Sequence, residues 1–107
     1  PPPFAMGKAA LVDSTAGLIR MARREPRMAE GYARLCRALA ARSVGAPRQL
    51  EEDALEAFLD RLGASRGATS TFSDLMRDAR ATQDLAALMA VTRKLYDWRL
   101  EMTREHR

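Results

Sequence analysis

Apolar residues in this chain recur at helical spacing, and five segments show the pattern. In the first, Leu11, Thr15, Leu18 and Ala22 form a stripe with Val12 and Ile19 beside it, which predicts a helix from about Lys8 to Arg24. Gly17 costs that helix roughly 1 kcal/mol relative to alanine but admits a close helix crossing. The second stripe is Met28, Tyr32, Leu35 and Leu39, spaced four, three and four, with Arg27, Glu30, Arg34 and Arg37 expected on the opposite face. Pro26 suits its first turn, and Gly45 with Pro47 ends it. A third helix is expected from about Gln49 to Leu62, its first turn acidic through Glu51, Glu52 and Asp53 and its stop at Gly63. Leu50, Ala54, Leu55, Phe58 and Leu62 would point inward.

Residues 63–70, rich in Gly and Ser, read as the longest loop. A short fourth helix follows, about Phe72 to Arg80, with Thr71 as its cap and Phe72, Leu75, Met76 and Ala79 as its buried face. Thr82 is placed as the cap of a fifth helix that runs to about Arg104. Its apolar arc is wide: Leu85, Leu88, Met89, Val91, Thr92, Leu95, Tyr96, Trp98 and Met102. Such an arc implies more than one neighbour, which makes this helix the central packing element. Arg99 falls inside the arc, so it must snorkel, pair with a carboxylate or mark a contact surface.

These segments predict an all-α chain, a single compact bundle of about five helices, four long and one short. The domain is expected over 7–107, after a proline-rich linker at 1–6. Composition agrees with helix. Ile19 is the only isoleucine, and Val12, Val44 and Val91 the only valines, too thin a supply for a sheet. At 107 residues the chain needs no disulfide or metal to hold a core. The opening Pro1-Pro2-Pro3 without a start methionine leads to the expectation that the chain is a piece of a longer protein. No apolar run approaches the roughly 18 residues that span a bilayer.

Chemistry-bearing residues are sparse. Cys36 is the sole cysteine and His106 the sole histidine, too few for a zinc set, and no Glu-x-x-His pair or calcium-loop pattern occurs. Cys36 is expected as a small core hydrophobe and His106 as a tail residue. Gly63 to Gly67 lacks the Lys-Ser/Thr of a phosphate loop. Asp74 and Asp78 share one helix face and read as solubility charges. No catalytic, cofactor or metal residues are therefore assigned, and the chain is expected not to be an enzyme.

Charge is uneven. Residues 1–48 carry nine basic and three acidic groups, and residues 49–107 nine basic and eleven acidic. Arg20, Arg23, Arg24, Arg27, Arg34 and Arg37 form the expected basic contact surface, suited to an acidic partner, phosphates or an anionic membrane. A helix-turn-helix reading fails, since the eight-residue loop is too long and the would-be recognition helix carries Asp74 and Asp78. Non-specific nucleic-acid binding stays open as the alternative function.

The run Pro2-Pro3-Phe4-Ala5-Met6-Gly7-Lys8-Ala9-Ala10-Leu11-Val12-Asp13-Ser14-Thr15-Ala16-Gly17-Leu18 resembles a family of bacterial inner-membrane proteins catalogued as domain of unknown function 4350. Tyr32-Ala33-Arg34-Leu35 and the closing Asp84-Leu85 helix with Leu95-Tyr96-Asp97-Trp98-Arg99 extend the similarity. The resemblance implies a helical tail on the cytoplasmic side of the inner membrane, below an extracytoplasmic amidotransferase-like domain. It implies a protein partner of the MoxR kind of AAA ATPase, and it carries over no catalytic residue. The expected function is a non-enzymatic protein-interaction domain with weak contact to an anionic membrane surface.

Overall fold

Helix formers and capping residues alternate along the chain, and the backbone follows them. The computed structural model describes residues 27–104, which hold four helices: α1 (Met28–Val44), α2 (Glu52–Ser65), α3 (Phe72–Arg80) and α4 (Leu85–Thr103). The described residues are all-helical, in keeping with the expected class. They give four helices rather than five, because the first expected helix, Lys8 to Arg24, lies outside them, as do the 1–6 linker and His106.

Glycine sets two of the helix ends. Gly45 adopts φ 66°, its N–H bonds the Arg42 carbonyl, and the Ala46 N–H reaches the Ala41 carbonyl at 2.9 Å. This left-handed turn satisfies carbonyls that α1 would otherwise leave unpaired. The same turn closes α2, but at Gly67 (φ 76°), with Ala68 N–H bonded to the Gly63 carbonyl at 2.9 Å. The expected stop at Gly63 is thus corrected. Gly63 is buried inside α2, where a Cβ would come within 3.3 Å of Ala68 Cβ and Met102 Sδ. It is small for close packing, and the loop shortens to residues 66–71.

The start of α3 is satisfied from two sides. Thr71 Oγ1 accepts the Asp74 N–H at 3.1 Å, as expected for its cap. Asp60, on α2, supplies the rest: one carboxylate oxygen accepts the Phe72 N–H at 2.8 Å and the Ser73 N–H at 3.3 Å. The other accepts the Ser73 hydroxyl at 2.5 Å. At α4 the cap is Asp84, which accepts the Ala87 N–H at 2.8 Å, and not Thr82. Thr82 turns back instead, donating to the Ala79 carbonyl at 2.9 Å and closing α3. Arg66 donates to the Met102 carbonyl near the far end of α4.

Inside, α4 packs against all three other helices, most extensively against α1. Its buried line is Leu88, Val91, Leu95, Trp98 and Met102. The expected face of α3 is buried as read, Phe72, Leu75, Met76 and Ala79. The Phe72 and Trp98 rings tilt against each other with centroids 4.9 Å apart. Leu59 is the fully buried contribution of α2, with Leu55, Phe58 and Leu62 half-buried around it and Ala54 exposed. Among the described residues, no helix is long and apolar enough to cross a membrane.

Candidate functional site

The buried line of α1 differs from the stripe expected for it. Ala29, Ala33, Cys36 and Ala40 face the core, all at or below 1% exposure. The larger stripe is rotated out: Met28 and Tyr32 are half-buried, and Leu35 is 53% exposed. The physical reason is bulk. Large buried side chains of α3 and α4, Phe72, Leu75, Leu95 and Trp98 among them, fill the core that α1 packs against, so α1 presents small side chains to it. A stripe of bulky apolar residues is therefore left on an outer flank.

The flank of α4 beside it is also apolar. Met89 is 52% exposed, Tyr96 45% and Leu100 44%, so all four large exposed hydrophobics among the described residues sit on α1 or α4. The two flanks meet. An open cleft of about 610 Å³ is lined by Leu39, Arg42 and Ser43 of α1 and by Arg99, Leu100 and Thr103 of α4. Tyr32 lies near enough to Arg99 and Tyr96 to feel both electrostatically. The late part of α1 thus lies beside the late part of α4. At its start, α1 adjoins the end of α3, just before α4, through Glu30 and Arg80 at 3.6 Å. The two long helices pack along each other.

Arg99 takes up one of its expected roles in this groove: its side chain snorkels, half-buried along the apolar surface. Its guanidinium carbon also sits 5.7 Å from the centroid of the Tyr96 ring, a cation–π contact that the sequence reading did not include. Its Nε is buried without a hydrogen-bond partner among the described residues.

Cys36 is buried next to the groove, near Tyr32. Burial pushes the Cys36 thiol above its ordinary value, outweighing the lowering effects of Tyr32 and of Arg99. Burial, then the proximity of Cys36, raises Tyr32 likewise. A thiol held protonated is a packing group and a poor nucleophile. Asp74, half of the carboxylate pair noted in the sequence, is exposed and ion-paired with Arg77. Among the described residues, no three His, Cys, Asp or Glu side chains gather as a metal site would require.

Of the expected basic surface, Arg27, Arg34 and Arg37 lie at or on α1, while Arg20, Arg23 and Arg24 lie outside the described residues. Arg27 is exposed. Arg34 pairs with Glu30 at 2.7 Å. Arg37 pairs with Glu56 of α2 at 2.7 Å, with both side chains about six-sevenths buried (14% and 15% exposed). The α4 arc is expected to pack, yet Met89 and Tyr96 within it are exposed and the exposed Leu100 lies outside it. On α1 the bulky stripe is likewise expected in the core, so neither flank of the groove is legible from hydrophobic spacing. The chain matches no protein-family model, no curated protein and no solved structure.

Proposed function

We propose that this chain is a protein-interaction domain that works by docking, without catalysis of its own, through the groove between α1 and α4. One observation carries the reading: Leu35, Met89, Tyr96 and Leu100 are all exposed on two adjacent helices. Exposed apolar residues scattered singly are ordinary, whereas Met89, Tyr96 and Leu100 fall on one flank of α4 at spacings of seven and four, which favours a contact surface. Two helices running side by side form a trough whose natural occupant is an amphipathic helix. The arginines favour this reading over nucleic-acid binding, because Arg34 and Arg37 are already paired with carboxylates. A fifth helix over Lys8 to Arg24 belongs to the same proposal. The resemblance to domain of unknown function 4350 supplies the setting, a tail beneath a bacterial inner membrane with a MoxR-type ATPase as partner.

Site-specific photocrosslinking tests the reading. A photoreactive side chain is placed at Leu35, at Leu100 and, as controls on other surfaces, at Arg61 and Arg93. The expected result is one protein adduct common to positions 35 and 100 and missing from the controls. If no shared adduct forms, the docking reading fails. Identification of the adduct as an AAA ATPase would support the proposed setting.

A further inference from the structure

The groove between α1 and α4 carries charge of one sign. Arg42 and Arg99 are the charged side chains that line its cleft, set between Leu39 and Leu100. Among the described residues, arginine–carboxylate contacts involve Arg34, Arg37, Arg77, Arg80 and Arg93, and neither Arg42 nor Arg99. The carboxylates of the two helices are engaged elsewhere. Glu30, the one acid of α1, pairs with Arg34 and Arg80. On α4, Asp97 lies against Arg93, and Glu101 accepts from the Thr69 hydroxyl.

Arg99 is the more demanding of the two cations. It is half-buried, and its Nε is shut from solvent with no hydrogen-bond partner. A guanidinium so placed gains from a carboxylate, which replaces lost water with charge-assisted hydrogen bonds. Burial raises Tyr32 and Cys36, and the positive field of Arg99 opposes that rise at both. Arg42, in the last turn of α1, is exposed and adds a second positive charge to the same cleft.

The rest of the groove is apolar. Leu35 stands one turn before Leu39, and Met89 and Tyr96 share the Leu100 flank of α4. Met89 to Leu100 covers about 17 Å of helix, roughly three turns. An occupant of matching shape is a helix of that length, apolar along one face, with a carboxylate at one end of the face. A flat bilayer surface would cover the exposed side chains and leave the concave cleft unfilled. We propose that the groove selects an acidic amphipathic helix of a partner protein, whose carboxylate pairs with Arg99 and Arg42 while its apolar face rests on Leu35, Tyr96 and Leu100. The proposal rests on the reading of this face as a docking groove and adds the chemistry of the partner.

Selection from a displayed peptide library tests it on the full chain. The peptides are helices with leucines fixed along one face and Glu, Gln or Lys varied beside them. Those retained by the unaltered chain, and not by a chain carrying both Leu35→Ser and Leu100→Ser, bind through the groove. Both leucines are exposed, so the double variant should keep its helices, which circular dichroism checks. The expected result is enrichment of Glu over Gln and Lys at one end of the apolar face. The best such peptide should bind Arg99→Gln about tenfold more weakly, as for a partly desolvated charge pair. It should bind Arg42→Gln about two- to threefold more weakly, as for an exposed pair. Its analogue with Gln in place of Glu should bind the unaltered and Arg99→Gln chains alike, which separates pairing from a disturbed groove. Groove-dependent peptides without a preference for Glu, or equal binding by both arginine variants, overturn the acidic partner and leave docking intact. A library that yields no groove-dependent peptide also overturns it, and the shared crosslink at positions 35 and 100 then decides docking alone. A dimer of the chain dissolved by Arg99→Gln assigns the groove to a second copy. Binding to phosphatidylserine vesicles that is lost in Arg99→Gln assigns it to a membrane, and either outcome overturns the proposal.

Discussion

Asp60 holds the first backbone N–H of α3, that of Phe72, at 2.8 Å, although twelve residues and a turn separate them. The carboxylate also takes both donors of Ser73, so α2 caps α3 from outside its own sequence neighbourhood. Negative charge at that helix start is favourable as well. Asp60→Ala should destabilise the domain by about 1–2 kcal/mol, the range of a lost helix cap. Asp60→Asn, which keeps an acceptor, should lose less. Urea unfolding of the two variants checks the order, and equal losses would show that the acceptor is unimportant.

The core is sensitive both to lost and to added bulk. Leu95→Ala removes a fully buried side chain and should cost about 2–5 kcal/mol. Ala33→Leu adds bulk where exposure is 0% and should cost about 1–3 kcal/mol through forced displacement. Thermal or chemical unfolding measures both, and a loss under about 0.5 kcal/mol in either would place that residue outside the core.

Two glycines of α1 should behave with opposite sign. Gly31 sits within the helix with nothing within 4 Å of where a Cβ would stand. Gly31→Ala should therefore stabilise by about 0.5–1 kcal/mol. Gly45 has equal space but a φ of 66°. Gly45→Ala should destabilise by about 1 kcal/mol, since open space does not relieve backbone strain. Paired melting curves decide, and a shared sign would contradict the conformational argument.

Alkali should destabilise the chain through the buried thiol of Cys36 and the half-buried phenol of Tyr32. Cys36 and Tyr32 keep their protons in the folded chain to higher pH than their ordinary values of 9.0 and 10.0. Above those values the unfolded chain gives up protons that the folded chain retains, so stability falls as pH rises. The thiol contribution is whole below about pH 9 and is lost from there up to the folded-state value. Melting temperature followed from neutral to strongly alkaline pH should decline less steeply in Cys36→Ala than in the unaltered chain. Parallel curves would mean that the thiol titrates alike in both states.

What the sequence revealed depended on how local each signal was. The limits and buried face of Phe72 to Arg80 were legible, because Thr71, the stripe and the helix end all lie within a dozen residues. Gly63 was misread because Gly63 and Gly67 both suit a helix end, and only the contact with Met102, far along the chain, separates them. Thr82 was a sound cap by type, but Asp84 stands two residues on and took the role. The stripe of α1 was visible, yet its direction was not. Hydrophobic spacing finds a face without saying whether α4 or another helix will meet it, and the small line at Ala29, Ala33, Cys36 and Ala40 carries a weaker hydropathy signal. The groove was hidden by that same ambiguity.

The line of small residues on α1 also constrains how this sequence can drift. Its buried face lends surface and little volume, while the buried side chains of α3 and α4 supply the bulk. A shrinkage on α4 leaves a hole that α1 can fill only if one of its alanines grows, and neither change is tolerable alone. Positions facing each other across the seam should therefore exchange bulk in compensated pairs, with coupling that single substitutions underestimate. Relatives of this chain would be expected to keep the summed size of each facing pair while its two members trade places.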